Sequence, residues 1–201
     1  MQVSNDGLAF VAAREALCLT AHKDTRLPAI GFGVNDPTLT LGETITIEEA
    51  IDRYLKKAPD YDADVLAVFK DIPLAQHQFD ALWSLDWNTG RTDLRRATDL
   101  VTAIKSFALA PDTTDQDKVL KRWLRDRAAF QFTQVKYDSE TDTYFNLSRR
   151  MLEGALFASG NYGDISRVKF YGAGKHPKPV TIDGVFYPAD TFEWMPMPVF
   201  R

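Results

Sequence analysis

The sequence predicts an α+β fold. Turn residues and strand-like alternation gather in an early segment and again in residues 160–201. Helical periodicity fills most of what lies between. The composition is that of an ordinary folded protein, 45% hydrophobic and 12% aromatic over 201 residues, so disorder is not expected. That length suits one domain, or one domain with an appendage.

The elements follow in order. Ser4-Asn5-Asp6 offers capping residues, and Leu8, Val11, Ala12 and Leu19 then fall on one helical face. Glu15 falls on that same face, and Cys18 sits inside the same pattern as a small core residue. Residues 22–45 lose the helical period and gain Gly, Pro, Asn, Asp and Thr. They read as a small β-ribbon with a turn at Asn35-Asp36-Pro37. Thr46-Ile47-Glu48-Glu49 is a capping box that starts a helix near Ile47. Ala58-Pro59 ends it, and a second helix is expected from Asp60 to Phe69.

Pro73 opens the next helix, which Asn88-Thr89-Gly90 stops. Helical patterns return over 97–108, 115–129 and 146–158. Beyond residue 160, apolar and polar residues alternate, and Asp183-Gly184 between Ile182 and Val185 signals a tight hairpin. This stretch buries too little to stand alone and is expected to pack on the main body. The domain boundaries are therefore placed at 1–159 and 160–201.

Charge and motifs exclude several classes. A net charge of −4 argues against a broad nucleic-acid surface. A single cysteine permits no internal disulfide. No apolar run is long enough to span a bilayer, and no signal peptide is visible. His22, His77 and His176 have no metal-ligand spacing, so no metal is expected. Neither a nucleophile elbow nor a phosphate-loop lysine is present, and no cofactor is implied.

The chemistry-bearing stretch is Glu15–Gly33. Glu15 on an apolar stripe is unusual, because desolvation raises a carboxyl pKa and suits a general acid. The plainer alternative is a half-buried glutamate paired with an arginine. Asp24 follows in the pattern E-x8-D, and the ribbon Ile30-Gly31-Phe32-Gly33 comes next. Glycosidic bond cleavage needs two such carboxyl groups, one protonated and one ionised.

These residues resemble the phage-type lysozymes, the endolysins of glycoside hydrolase family twenty-four. E-x8-D with its A-I-G-F-G ribbon, the LGETIT segment at 41–46, IPLAQHQFDALWSLDWNTG at 72–90 and SRRMLEGALF at 148–157 occur in the family's order. The resemblance implies a lysozyme-like fold. A small N-terminal lobe with a β-ribbon and a helical C-terminal lobe would flank a cleft, with a β-rich or irregular C-terminal extension added here. It implies cleavage of the β-1,4 bond between N-acetylmuramic acid and N-acetylglucosamine in bacterial peptidoglycan, by a monomer. The chain would wait in the host cytoplasm before release to the periplasm and cell wall, or be virion-associated.

By the same resemblance Glu15 is the general acid and Asp24 the second carboxylate. Asp24 as a plain turn residue is the alternative. Arg149 matches an arginine that orients the acid; an exposed helix charge is its alternative, with Arg150 as the fallback. Gly33, Trp87, Asn88 and Gly90 match substrate-binding positions. Asn88 suits a sugar amide, while Trp87 either stacks on a sugar or fills core, and its spacing from Trp83 favours core.

Two positions depart from the family pattern. Ala29 stands where a threonine is usual and Val34 where a histidine is usual, and His22 takes a usually aromatic spot that suits packing. Three readings of Ala29 stay open. Thr25 substitutes for the missing hydroxyl, Asp24 acts alone as base or nucleophile, or catalysis is lost. In the last case the protein is a peptidoglycan-binding or virion structural protein.

Overall fold

The computed structural model describes residues 1–24, 27–91, 93–135 and 146–200. Its elements are helices α1 (Asn5–Glu15), α2 (Ile47–Phe69), α3 (Gln76–Thr89), α4 (Asp93–Arg96), α5 (Thr98–Ala108), α6 (Asp115–Phe132) and α7 (Leu147–Ser159). The strands are β1 (Leu17–Lys23), β2 (Pro28–Gly31), β3 (Val34–Asn35), β4 (Arg167–Tyr171), β5 (Val180–Ile182), β6 (Val185–Tyr187) and β7 (Glu193–Pro196). The architecture is α+β. The chain divides into two compact units, Met1–Gly7 with Asp60–Tyr162, and Leu8–Pro59 with Gly163–Arg201.

The second unit holds every strand found among the described residues. One sheet runs β3-β2-β1-β4-β7, and β5-β6 forms a separate hairpin. β1 pairs antiparallel with β2 and parallel with β4, with Leu17 opposite Phe170 and Cys18 opposite Tyr171. The β1–β2 register slips between Cys18 and His22. There the 42–45 segment takes up the β1 backbone groups, through Ala21 N to Glu43 O, Gly42 N to Ala21 O and Ile45 N to Leu19 O. Buried donors and acceptors are thereby satisfied where the ladder is broken.

The core of this unit is aromatic. Phe32, Tyr54 and Phe200 meet with ring centroids 5.2–5.6 Å apart. The Tyr54 hydroxyl donates to the Leu8 carbonyl at 3.0 Å, so the phenol is buried without an orphan group. Asp183 and Gly184, both at positive φ, turn the β5–β6 hairpin as their sequence signals.

The first unit is helical. Residues Gln78–Trp87 of α3 are all buried, which marks it as the central helix. Trp83 and Trp87 stack 5.2 Å apart, and Tyr61 lies 4.7 Å from Trp87. Phe157 of α7 meets Phe107 of α5 and Phe132 of α6. Buried Asp80 draws the N-terminal residues onto α3. It accepts from Ser4 N at 3.1 Å, Gln76 Nε2 at 2.9 Å and Tyr162 OH at 2.7 Å. Burial and this carboxylate push the Tyr162 phenol well above its ordinary value.

Four sequence expectations are corrected. Helix α1 stops at Glu15, so Cys18 and Leu19 belong to a strand. Ala16 adopts φ 66° and breaks the helix, and left-handed backbone cannot continue a right-handed one. Helix α2 does not end at Pro59 but runs through it. A proline inside a helix costs about 3 kcal/mol, yet buried Ala50, Tyr54 and Ala58 anchor one side and Val65 and Phe69 the other. Helix α3 begins at Gln76 rather than Pro73, because the Gln78 side chain caps the backbone N–H of Ala75 at 2.9 Å. The N-terminal ribbon is not a ribbon alone but part of a five-stranded sheet completed by β4 and β7. The Thr46–Glu49 capping box forms as its sequence implies, with contacts of 2.8 and 3.1 Å.

Candidate active site

Glu15 is the last residue of α1 and is half-buried. Its position follows from the break at Ala16, which sends the chain directly into β1. Beside it lies Gly33 in the turn between β2 and β3, at φ 78°. A Cβ at Gly33 would stand 2.9 Å from Oε2 of Glu15. Glycine suits this position twice, for its left-handed backbone and for the space it leaves to its neighbour's carboxyl.

Asp24 directly follows β1 and belongs to the same unit as Glu15 and Gly33. Its Oδ1 accepts from Lys178 Nζ at 2.6 Å, and its Oδ2 lies 3.4 Å from Asn35 Nδ2. Thr25 lies outside the described residues. Ala29 and Val34 are both buried, on β2 and β3. His22 is buried on β1, opposite Ala29. Burial holds its pKa below the usual 6.5, against the opposing pull of the Thr20 carbonyl. Cys18 is buried too, and desolvation pushes its thiol up to about 11, so it is no thiolate nucleophile at neutral pH.

The other candidates belong to the first unit. Arg149 is buried rather than an exposed helix charge. Its Nε donates to Glu153 Oε1 at 3.2 Å, and its Nη2 reaches the Ser84 carbonyl at 3.3 Å. Arg150 is also buried and donates from Nη2 to the same Glu153 oxygen at 2.9 Å and to Asn88 Oδ1 at 2.9 Å. Its Nε lies 2.9 Å from Glu153 Oε2, an ion-pair distance without hydrogen-bond alignment. Ser84 Oγ completes the set, donating to Glu153 at 2.7 Å.

Glu153 was not singled out in the sequence. The signal was available, because Arg149 and Arg150 precede it by one helical turn, the spacing of an intrahelical ion pair. Asn88 spends its Oδ1 on Arg150 and Asn146. Gly90 caps α3 at φ 88°, its N–H donating to Asp86 O at 2.9 Å. Trp87 is core: only 8% of its surface is exposed and its ring is engaged by Trp83 and Tyr61. Packing therefore replaces the sugar-stacking alternative.

Among the described residues, no cluster of His, Cys, Asp and Glu is suited to a metal ion, and no helix is long and apolar enough to cross a membrane. The phage lysozyme family matches residues 12–150. The endolysin of Salmonella phage P22 is 32% identical over 144 residues, covering 65% of this chain and 98% of that protein. Among solved structures, the endolysin from Escherichia coli O157:H7 phage FAHEc1 has a TM-score of 0.59 at 24% identity, over 82% of this chain and 98% of that one. A point mutant of P22 lysozyme has a TM-score of 0.56 at 29% identity, over 79% and 99% of the two chains.

Proposed function

The chain belongs to the phage lysozyme family, and on that premise we propose that it is a muramidase of the endolysin type. It hydrolyses peptidoglycan at the β-1,4 bond between N-acetylmuramic acid and N-acetylglucosamine. The observation that carries this reading is a carboxylic acid, Glu15, at a helix end beside a glycine, inside the stretch that the family match spans.

In this mechanism Glu15 gives its proton to the leaving glycosidic oxygen. Asp24 remains ionised and either favours the oxocarbenium-like centre or activates the incoming water. Arg149, held by Ser84 and Glu153, takes the role that the family resemblance gives it, orienting the acid. Asn88 offers its amide nitrogen to a sugar carbonyl, since its oxygen is already engaged. Gly33 and Gly90 keep the backbone low beside the substrate. Residues 160–201 extend the lysozyme-like domain of 1–159, a reading supported by the pairing of β4 with β1. The protein acts as a monomer, held in the host cytoplasm until it is released to the cell wall.

Ala29 and Val34 give the non-catalytic alternative its motive, yet the relative matched over 98% of its length is an endolysin, so loss of catalysis is not favoured. The test is turbidity loss of purified sacculi. The wild type should clear them and Glu15→Gln should be slower by about 10²–10⁴, the range of general acid–base catalysis. Equal rates for the two would contradict the mechanism. Sedimentation that returned a dimer at working concentration would contradict the monomer.

A further inference from the structure

The family match ends at residue 150, yet the chain beyond it reaches a carboxylate of the proposed site. We propose that Lys178, carried on the C-terminal extension, is a positioning residue for Asp24. This rests on the reading of Asp24 as the second carboxylate.

The extension is fastened along β1 until it arrives there. Phe170 and Tyr171 pair with Leu17 and Cys18. Gly174 N donates to Thr20 Oγ1 at 2.7 Å. His176, two residues before Lys178, is buried; its N–H donates to Asp190 Oδ2 at 3.1 Å and its carbonyl accepts from Asp190 N at 2.9 Å. Pro177 and Pro179 flank the lysine, and each ring fixes a backbone dihedral. The platform is therefore built without help from the Lys178 side chain.

Asp24 has more need of a clamp than a residue inside a strand. It follows the last residue of β1, so no ladder fixes its side chain. The Lys178 ammonium holds Oδ1 at 2.6 Å, and Asn35 approaches Oδ2 at 3.4 Å. Donors on two different oxygens set both the direction and the plane of the carboxylate. The pair is too exposed to matter much for stability, at 55% and 28% of the two side chains. Its effect falls on geometry at the reacting centre. The same stretch also walls a cavity of about 480 Å³ that Asp24 lines, with Pro179, Val180 and Phe186 set against Leu27, Pro28 and Leu41. The clamp thus stands beside a space large enough for a ligand.

The experiment measures kcat, KM and Tm of the full chain on solubilised peptidoglycan for wild type, Lys178→Met, Lys178→Arg, Asp24→Asn and the Asp24→Asn/Lys178→Met double variant. Lys178→Met should lose about tenfold to a hundredfold in kcat, the cost of a misplaced catalytic group. Its KM should stay within about twofold, and its Tm within about 2 °C, as for surface changes. Lys178→Arg should recover most of kcat, and the double variant should be no slower than Asp24→Asn. A Lys178→Met enzyme with kcat at or above wild type would overturn the proposal, as would an additive loss in the double variant. If Asp24→Asn itself keeps wild-type kcat, the failure lies in the role given to Asp24 and is visible without Lys178.

Discussion

Glu15 and Glu153 each belong to a helix, but they differ in depth and in what borders them. Glu153 has no exposed surface, and three side chains serve it: Ser84, Arg149 and Arg150. Two guanidinium groups and a hydroxyl hold its carboxylate in place. Glu15 is half-buried at a helix end beside a residue with no side chain. Burial alone therefore does not mark a reacting carboxyl. What separates the two is depth and backbone: Glu153 is fully enclosed beside two arginines, while Glu15 sits half-exposed at a helix end against a glycine.

The contrast yields predictions of decreasing size. In the sheet-bearing unit, Asp24→Asn should cost about 10²–10⁴ in kcat while leaving the unfolding midpoint near that of the wild type. In the helical unit the reverse is expected. Glu153→Ala strands two buried guanidinium groups and should lower stability by about 3–5 kcal/mol, read by urea denaturation. A stability loss for Asp24→Asn as large as that for Glu153→Ala would erase the distinction.

Gly33→Ala sharpens it further. The new Cβ meets only the flexible end of Glu15, so the stability cost should be about 1–2 kcal/mol from the left-handed backbone. The displaced carboxyl should nonetheless lower kcat by about tenfold to a hundredfold. Equal loss in the two readouts would mean that Glu15 is only a packing residue.

The smallest effect concerns His22, whose folded pKa lies below its unfolded value near 6.5 because it is buried. Below about pH 6.5 the unfolded chain binds a proton that the folded chain resists, so stability is present above that pH and falls as pH drops through it. Unfolding midpoints measured from pH 7.5 to 5 should fall more steeply for wild type than for His22→Gln. Parallel curves would place the acid sensitivity elsewhere.

The sequence reveals what local chemistry dictates. The Thr46–Glu49 box, the Gly90 cap and the Asp183-Gly184 hairpin form where their residues say, because each depends on neighbours a few positions away. The family segments then bring Glu15, Asp24 and Gly33 to notice together. The misses have a different origin. Pro59 reads as a stop, but packing on both sides outweighs one lost hydrogen bond. Cys18 and Leu19 read as helix because a buried strand and a helix face are both apolar, and only the left-handed turn at Ala16 tells them apart. The parallel pairing of β4 with β1 and the contact of Lys178 with Asp24 each join residues more than 150 positions apart. No local pattern encodes such contacts.

The most direct measurement of the central claim is mass spectrometry of soluble products from purified sacculi, before and after borohydride reduction, for wild type and Glu15→Gln. The account predicts wild-type muropeptides ending in reducible N-acetylmuramic acid, and almost none from the variant. Intact glycan from the wild type, or the same muropeptides from both proteins, would contradict it.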